Sequence, residues 1–183
     1  GSTDLAYARQ VADFLGTRHH EVVVTEQDFI DAVPRVIESI ESYDTTTVRA
    51  SLGNWLIGKY IRENSEAKVI FNGDGSDELA GGYLYMAFAP DALEFDRETR
   101  RLLSDIYAFD VLRSDKCISS HGLEPRTPFL DRAWVTYYLS LPPTVRFRPD
   151  KMEKHLLRQA FADSGLLPLD VLWRRKEAFS DGV

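Results

Sequence analysis

The chain has little cysteine, no long apolar run, and too few cations to balance its acids. Cys117 is the only cysteine among 183 residues, so no disulfide can form within the chain. This composition is typical of a reducing compartment such as the cytoplasm, and the lone thiol, without a local base signature, favours a structural role. No apolar run approaches the roughly 20 residues that span a bilayer, so we expect a cytoplasmic protein with no membrane partner.

The charge balance excludes a second class of partner. Lys and Arg number 22 against 29 Asp and Glu, which gives a formal net charge of −7. Sequence-independent binding of nucleic acid needs a basic face, so no nucleic-acid partner is expected. A few local cations can still dominate one cleft, so a small anionic ligand stays open.

Hydrophobic spacing predicts a mixed chain of helices and strands. Short β-branched runs at residues 22–24 and 68–71 predict two strands. Helices are predicted over residues 4–15, from about 27 to 40 (with a kink or later start at Pro34), and over 48–64, 77–85, 97–116, 131–141 and 153–163. The order of strand, helix, strand and helix suggests a parallel α/β layer followed by a mainly helical part, without an internal domain boundary. Two strands make a poor open sheet, so further strands are expected before residue 1.

The main chemical signal is the loop between the second predicted strand and its following helix. Ligands collect beyond the carboxyl ends of parallel strands, and Gly73 and Gly75 allow close backbone approach and positive φ. Three carboxylates, on Asp74, Asp77 and Glu78, would repel phosphates unless a divalent cation lay between them. Because Mg²⁺ typically bridges carboxylates and substrate phosphates, the loop is interpreted as a Mg²⁺-nucleotide site. The alternative is a glycine turn with an acidic helix start that binds nothing.

Two further signals each keep an alternative open. Arg174, Arg175 and Lys176 could neutralise phosphate charge or form a solvated patch. Thr46 and Arg49 could cradle an anion at a helix start, or be a threonine N-cap and a surface arginine.

A third signal is the segment around Glu124 and Arg126, which lies between two prolines. The two side chains would point the same way if the backbone were extended. They could form a structural ion pair or a clamp for substrate.

In their order and spacing, these motifs resemble the asparagine synthetase family, among the ATP-pyrophosphatase enzymes. The resemblance runs nearly end to end, and although each stretch alone is weak, the ordered set is specific. The stretches are residues 1–5, Gly16 with 19–21, 46–51, 73–78, 81–85, 109–113, 122–124 with Arg126, 128–131, 153–155 and 176–183.

The resemblance implies an α/β fold with a partial parallel sheet of the adenine-nucleotide alpha-hydrolase type and a mainly helical C-terminal part. It makes residues 1–183 a single fragment of the synthetase domain, without the family's N-terminal glutaminase domain and phosphate-loop segment. We therefore expect the chain alone neither to hydrolyse glutamine nor to make asparagine. The oligomeric state stays open, with a homodimer among the options.

The reaction that the resemblance implies uses ATP and Mg²⁺ to convert the aspartate β-carboxylate to β-aspartyl-AMP, releasing pyrophosphate. Ammonia from glutamine then gives asparagine and AMP. By motif position, Asp74, Lys176, Thr46 and Arg49 look catalytic. Asp74 stands where the family usually has Glu, the proposed base for ammonia, and is one methylene shorter.

Binding roles follow the same motif positions. Asp77 looks like the Mg²⁺ ligand, and Arg113, Glu124 and Arg126 are weaker candidates for substrate contacts. The implied contacts of ATP and pyrophosphate are Asn72, Gly73, Gly75, Ser76, Asp77 and Glu78. Two other readings stay open: a related amide-forming ATP-pyrophosphatase, such as a β-lactam synthetase, that acts on another carboxylate, and a truncated module without catalysis.

Overall fold

The computed structural model describes residues 3–176, which form a mainly helical α/β chain divided into two compact units. The first unit consists of Gly1–Glu21, Ser76–Ser104 and Phe129–Val183, and the second of Val22–Gly75 and Asp105–Pro128. The units alternate along the sequence, so no single cut in the chain separates them. This alternation explains why the sequence shows no linker between them.

Helices dominate the first unit. They are α1 (Thr3–Leu15), α4 (Ser76–Ala80), α5 (Ala92–Asp105, whose last residue passes into the second unit), α7 (Arg132–Ser140), α8 (Pro143–Arg146), α9 (His155–Phe161) and α10 (Leu169–Leu172). A 3₁₀ helix covers Leu84–Phe88, and another, Pro128–Leu130, lies where the second unit passes into the first. The core of this unit forms around Leu79, Ala80 and Tyr138.

The second unit holds the sheet. It contains α2 (Glu26–Ile40), α3 (Thr45–Asn64), β1 (Val69–Phe71), a 3₁₀ helix (Ile106–Ala108), α6 (Asp110–Ser119) and β2 (Glu124–Arg126). Strands β1 and β2 are parallel, with Val69 opposite Glu124 and Phe71 opposite Arg126. A small parallel sheet is therefore present as predicted, but the partner of β1 is β2, which the sequence did not predict as a strand.

The predicted strand at residues 22–24 is wrong. The segment has no regular structure, and Val23 is 82% exposed. A β-branched run becomes a strand only when a partner supplies backbone hydrogen bonds. In the part of the chain that the structure describes, β1 and β2 pair only with each other.

The predicted helix over residues 97–116 is also wrong as one element. Helix α5 begins earlier, at Ala92, where Asp91 accepts hydrogen bonds from the backbone N–H groups of Leu93 and Glu94. It ends at Asp105, and α6 begins only at Asp110 after a 3₁₀ turn. The break coincides with the passage of the chain from the first unit to the second.

The predicted helix over residues 77–85 ends early, since α4 stops at Ala80 and Gly81 takes a left-handed φ of 69°. Helix α2, by contrast, runs through Pro34 to Ile40. Among residues 3–176, no helix combines the length and apolar character that a membrane crossing requires.

Cys117 is fully buried in the core of the second unit, among Ala32, Val36, Ile40 and Val48. Its thiol lies 3.6 Å from the carbonyl oxygen of Ser51. Burial raises the pKa of the Cys117 thiol to about 11. The structure thus supports a structural role for this cysteine.

We expect the folded chain to resist thiol reagents. A pKa near 11 leaves about 100-fold less reactive thiolate at neutral pH than an unshifted thiol would have. Labelling with a chromogenic disulfide reagent at pH 7 should be slow in buffer and fast in concentrated urea. Equal rates in the two solutions would contradict this assignment.

Candidate active site

The sequence-predicted site residues divide between the two units at the peptide bond between Gly75 and Ser76. Asn72, Gly73, Asp74 and Gly75 belong to the second unit, together with Thr46, Arg49, Arg113, Glu124 and Arg126. Ser76, Asp77, Glu78 and Lys176 belong to the first.

In the first unit, Asp77 lies between two lysines. The Lys154 ammonium donates to Asp77 Oδ1 at 2.9 Å, and the Lys176 ammonium lies 3.9 Å from Asp77 Oδ2. All three side chains are mostly sheltered, at 18% exposure for each lysine and 25% for Asp77. The structure thus brings together Asp77 and Lys176, and adds a second cation.

Lys176 is held at this place through its backbone as well as its side chain. Its N–H donates to Glu153 Oε1 at 2.8 Å, and its ammonium lies 5.4 Å from the centre of the Tyr83 ring. Glu153 also accepts a hydrogen bond from Arg158 at 2.9 Å, and its side chain is only 9% exposed. Glu153 is therefore a positioning residue for Lys176.

Of the three consecutive cations at residues 174–176, only one lies at the site. Arg174 pairs with Asp4 and stacks over the ring of Tyr7 at 4.3 Å, and Arg175 is exposed. Only Lys176 faces Asp77. The rest of the predicted motif, residues 177–183, lies outside the described residues, as do Gly1 and Ser2 of the first stretch.

Lys154 was missed as a site residue, although the sequence stretch 153–155 supported the resemblance. Its backbone has a φ of 55°, in the left-handed region that L-residues rarely adopt. Such strain costs roughly 1–2 kcal/mol and is common at functional sites. A cation near an acidic loop is the signal that could have found it, but the contact joins residues 77 positions apart in sequence.

Glu78 and Ser76 occupy the short helix α4 that follows the loop. Glu78 is buried and accepts a hydrogen bond from the Tyr83 hydroxyl. This contact gives Glu78 a role in holding the turn that contains Tyr83. The predicted helix start is present, but α4 is only five residues long.

The second unit places the first half of the loop directly after β1. The Asn72 N–H donates to the carbonyl oxygen of Arg126 at 3.0 Å, which extends the pairing with β2 by one residue. The Asn72 side chain accepts from the N–H of Asp74 at 3.2 Å. Gly75 has a φ of 86°, as predicted, whereas Gly73 is not among the residues with positive φ.

Glu124 and Arg126 lie on the same face of β2 and form an ion pair. Both side chains are 58% exposed, so the pair contributes little to stability. Of the two alternatives, a structural ion pair and a clamp for substrate, the structure shows the ion pair. Parallel pairing puts it at the same sheet edge as Asn72.

The remaining predicted residues lie on helices of the second unit. Asp44, rather than a threonine, caps α3, since its carboxylate accepts from both the N–H and the hydroxyl of Thr47. The threonine N-cap alternative is therefore wrong. Thr46 and Arg49 are exposed at i and i+3, a spacing that places them on one face of the helix.

Arg113 lies on α6, where it pairs with Asp110. Its side chain is 18% exposed. The structure thus gives this arginine a contact within its own helix.

Within the described residues, no three His, Cys, Asp or Glu side chains cluster as a metal site. At Asp77, a bare Mg²⁺ ion would meet two ammonium groups of like charge. A Mg²⁺ ion accompanied by phosphates would bring negative charge that the ammonium groups attract, and Asp77 would be one of its oxygen ligands. The donor set fits that second case.

Comparison with known proteins identifies relatives along the whole chain. The model of the asparagine synthase family matches residues 1–94 and 87–183. The glutamine-hydrolysing asparagine synthetase of Rattus norvegicus is 54% identical over 182 residues, and those of Homo sapiens and Gallus gallus are 53% identical. Each match covers 100% of this chain and 32% of the relative, so the chain spans about a third of their length. The chain belongs to the asparagine synthase family.

Proposed function

We propose that this chain is the pyrophosphate-binding part of an ATP-dependent asparagine synthetase. The observation that carries the proposal is the Asp77 carboxylate held between Lys154 and Lys176. A pair of sheltered ammonium groups beside one carboxylate suits a metal-bound diphosphate better than any neutral ligand. In the reaction of the asparagine synthase family, a diphosphate of this kind is the leaving group.

The reaction transfers the AMP group of ATP to the β-carboxylate of aspartate. A carboxylate oxygen attacks the α-phosphorus, and the bond to the pyrophosphate oxygen breaks. Negative charge grows on the leaving pyrophosphate, so Lys176 and Lys154 donate hydrogen bonds to its oxygens. Preorganised cations of this kind lower the barrier because they need no rearrangement as the charge develops.

Asp77 would hold Mg²⁺, and the two lysines beside it would bind the phosphates that accompany the metal. When bound, Mg²⁺ neutralises charge on the pyrophosphate. Tyr83 and Glu153 keep Lys176 in place through the ring contact and the backbone hydrogen bond. Both act through Lys176 rather than on the substrate.

In the second step, ammonia attacks the β-carbonyl carbon of the aspartyl adenylate, and AMP leaves. Asp74 takes the proton that the attacking nitrogen loses. Thr46 and Arg49 bind the reacting carboxyl group, and Arg113, Glu124 and Arg126 contact substrate or pyrophosphate. Asn72, Gly73, Gly75 and Ser76 contribute backbone and side-chain contacts to the nucleotide, on a sheet of the adenine-nucleotide alpha-hydrolase type.

The test is a chimera in which this chain replaces the matching third of the rat relative. We expect ATP-dependent formation of asparagine, AMP and pyrophosphate from aspartate and glutamine. Glutamine hydrolysis by the remainder of the rat protein serves as the control for folding. A chimera that hydrolyses glutamine but forms no amide would overturn the proposal, and an amide of another carboxylate would move it to a different synthetase.

Substitution of Lys154 should weaken pyrophosphate binding in the same chimera. Lys154→Ala should raise the dissociation constant for Mg²⁺-pyrophosphate about 10-fold, since a charge-assisted hydrogen bond is lost. Arg175→Ala is the matched control, because it removes a nearby exposed cation and should change binding less than about 2-fold. Calorimetry with Mg²⁺-pyrophosphate measures both. Equal effects of the two substitutions would show that only overall charge matters.

A further inference from the structure

A basic cleft lies in the first unit. Its walls come from the turn after α4, from α5 and from the segment between α8 and α9, and it has a volume of about 120 Å³. The residues that matter for its chemistry are Phe95, Arg146, Phe147, Arg148, Lys151 and Lys154. The cleft borders the Asp77 site, since Tyr83, Glu153 and Lys154 belong to both.

Positive charge prevails along the walls of the cleft. Four of its lining side chains are cations, against one carboxylate, that of Glu153. Glu153 is engaged by Arg158, and Asp150, which pairs with Arg148 and Lys151, is 58% exposed at its side chain. Arg146 and Lys154 are paired with Asp96 and Asp77. Arg148 and Lys151 are exposed and share one carboxylate, so they are the cations open to an anion.

The pKa of His155 is affected by the same positive charges. Burial lowers the pKa of this imidazole, and the charges of Arg148 and Lys151 lower it further, against a smaller opposite effect of Asp150. His155 also lines the cleft. A neutral imidazole there leaves the arginine and lysine groups as the charged donors.

Arg146 carries an N–H group with no acceptor. The guanidinium is fully buried, with Nε donating to the Leu141 carbonyl oxygen at 3.1 Å and Nη2 paired with Asp96. Within residues 3–176, Nη1 has no hydrogen-bond partner. Buried donors are rarely left without an acceptor in proteins. Because Nη1 has almost no exposed surface, a ligand in the cleft would not bond to it, and Arg146 contributes positive charge to the wall rather than a contact.

The other side of the cleft is apolar. The rings of Phe95 and Phe147 pack with centroids 5.2 Å apart, and Met86 is buried beside them. A hydrated inorganic anion gains nothing from such a surface, whereas an apolar group does. The walls thus favour a ligand with one charged end and one apolar end.

We propose that the basic cleft binds a small amphipathic carboxylate whose apolar body contacts Phe95 and Phe147 and whose carboxylate contacts Arg148 and Lys151. The volume sets the size, since a cavity of about 150 Å³ holds benzene. At about 120 Å³ the cleft is smaller than that, so an apolar body of about four or five heavy atoms fits, with its carboxylate at the exposed Arg148 and Lys151. Lys154 lines the cleft and also contacts Asp77, so its signals report occupancy at both places.

Isovalerate is a suitable probe, with isovaleramide as its uncharged match and inorganic phosphate as its non-apolar match. Titrated into the ¹⁵N-labelled chain, isovalerate should shift the backbone signals of Phe147, Arg148, Lys151 and Lys154 with a dissociation constant of about 1 mM. Isovaleramide and phosphate should each bind at least about 5-fold more weakly, because each lacks one half of the recognition.

Two kinds of variant test the charge and the shape of the cleft separately. Arg148→Gln should weaken isovalerate binding about 5-fold, whereas Arg97→Gln, which removes a cation from a comparable exposed ion pair with Glu94, should leave it unchanged. Ala87→Phe, at an exposed lining position, should block the cleft without altering charge.

Three results would overturn the proposal. They are equal weakening by Arg148→Gln and Arg97→Gln, tighter binding of phosphate than of isovalerate, and equal binding of isovalerate and its amide. The first would show a diffuse charge effect, the second an inorganic-anion site, and the third a purely apolar pocket. The proposal does not depend on the proposed reaction, because its readout is binding to the chain itself.

Discussion

Replacing Lys176 by alanine in the chimera should lower the rate of asparagine formation about 100- to 1,000-fold. This is the loss typical of removing one preorganised donor from a developing negative charge. Lys176 is placed for that task by three contacts, which are its backbone bond to Glu153, the Tyr83 ring and the Asp77 carboxylate 3.9 Å away. Because the chemistry loses a donor and the glutaminase part loses nothing, glutamine hydrolysis should stay within about 2-fold.

The matched control is the neighbouring cation. Arg175→Ala removes the same charge one residue earlier, from an exposed side chain, and should change the rate less than about 2-fold. Lys176→Arg keeps the charge but not the compact ammonium, so it should recover only part of the activity. If Lys176→Ala and Arg175→Ala had equal rates, the cation would be part of a solvated patch.

How far the sequence predicts the structure depends on whether the determining interactions are local. Helices α1 and α3 follow from apolar spacing and from signals at their ends, such as Gly16, whose φ of 64° ends α1. These signals act within a few residues. They therefore predict an element without reference to the rest of the chain.

Strand β2 shows the opposite case. It is three residues long, contains Pro125, and forms because β1, more than 50 positions earlier, supplies its hydrogen bonds. Residues 22–24 have a better strand composition but no such partner in the described residues. Partners distant in sequence decide both outcomes, and composition contains no record of them.

The site follows the same rule. The local pattern predicts one site in the loop at residues 72–78, and Gly75 has the predicted positive φ. Lys154 contacts Asp77 from 77 positions away in sequence. Its backbone is left-handed, a conformation that a lysine in a sequence does not predict. The family resemblance includes residues 153–155 but implies no role for them.

Replacing Gly82 by alanine should disrupt both the stability of the first unit and its site. Gly82 is buried, and its N–H donates to the carbonyl oxygen of Asp77 at 2.8 Å. A Cβ atom there would lie 1.7 Å from Asp77 Oδ1 and 2.9 Å from Asp77 Cα. The carboxylate cannot keep its contact with Lys154, and the backbone must shift as well. We expect the free energy of unfolding to fall by about 1–3 kcal/mol, as for other overpacked positions.

Urea unfolding of the chain and Mg²⁺-pyrophosphate binding by the chimera measure the two effects separately. Gly73→Ala is the control for stability alone, because a Cβ atom there meets nothing within 4 Å and the position does not require positive φ. It should change the free energy of unfolding by less than about 0.5 kcal/mol. Unfolding alone could explain a loss of binding by Gly82→Ala, so binding is compared at a temperature where that variant remains folded. A folded Gly82→Ala protein that binds Mg²⁺-pyrophosphate normally would show that Asp77 can move without loss, and its place between the two lysines would then not determine binding.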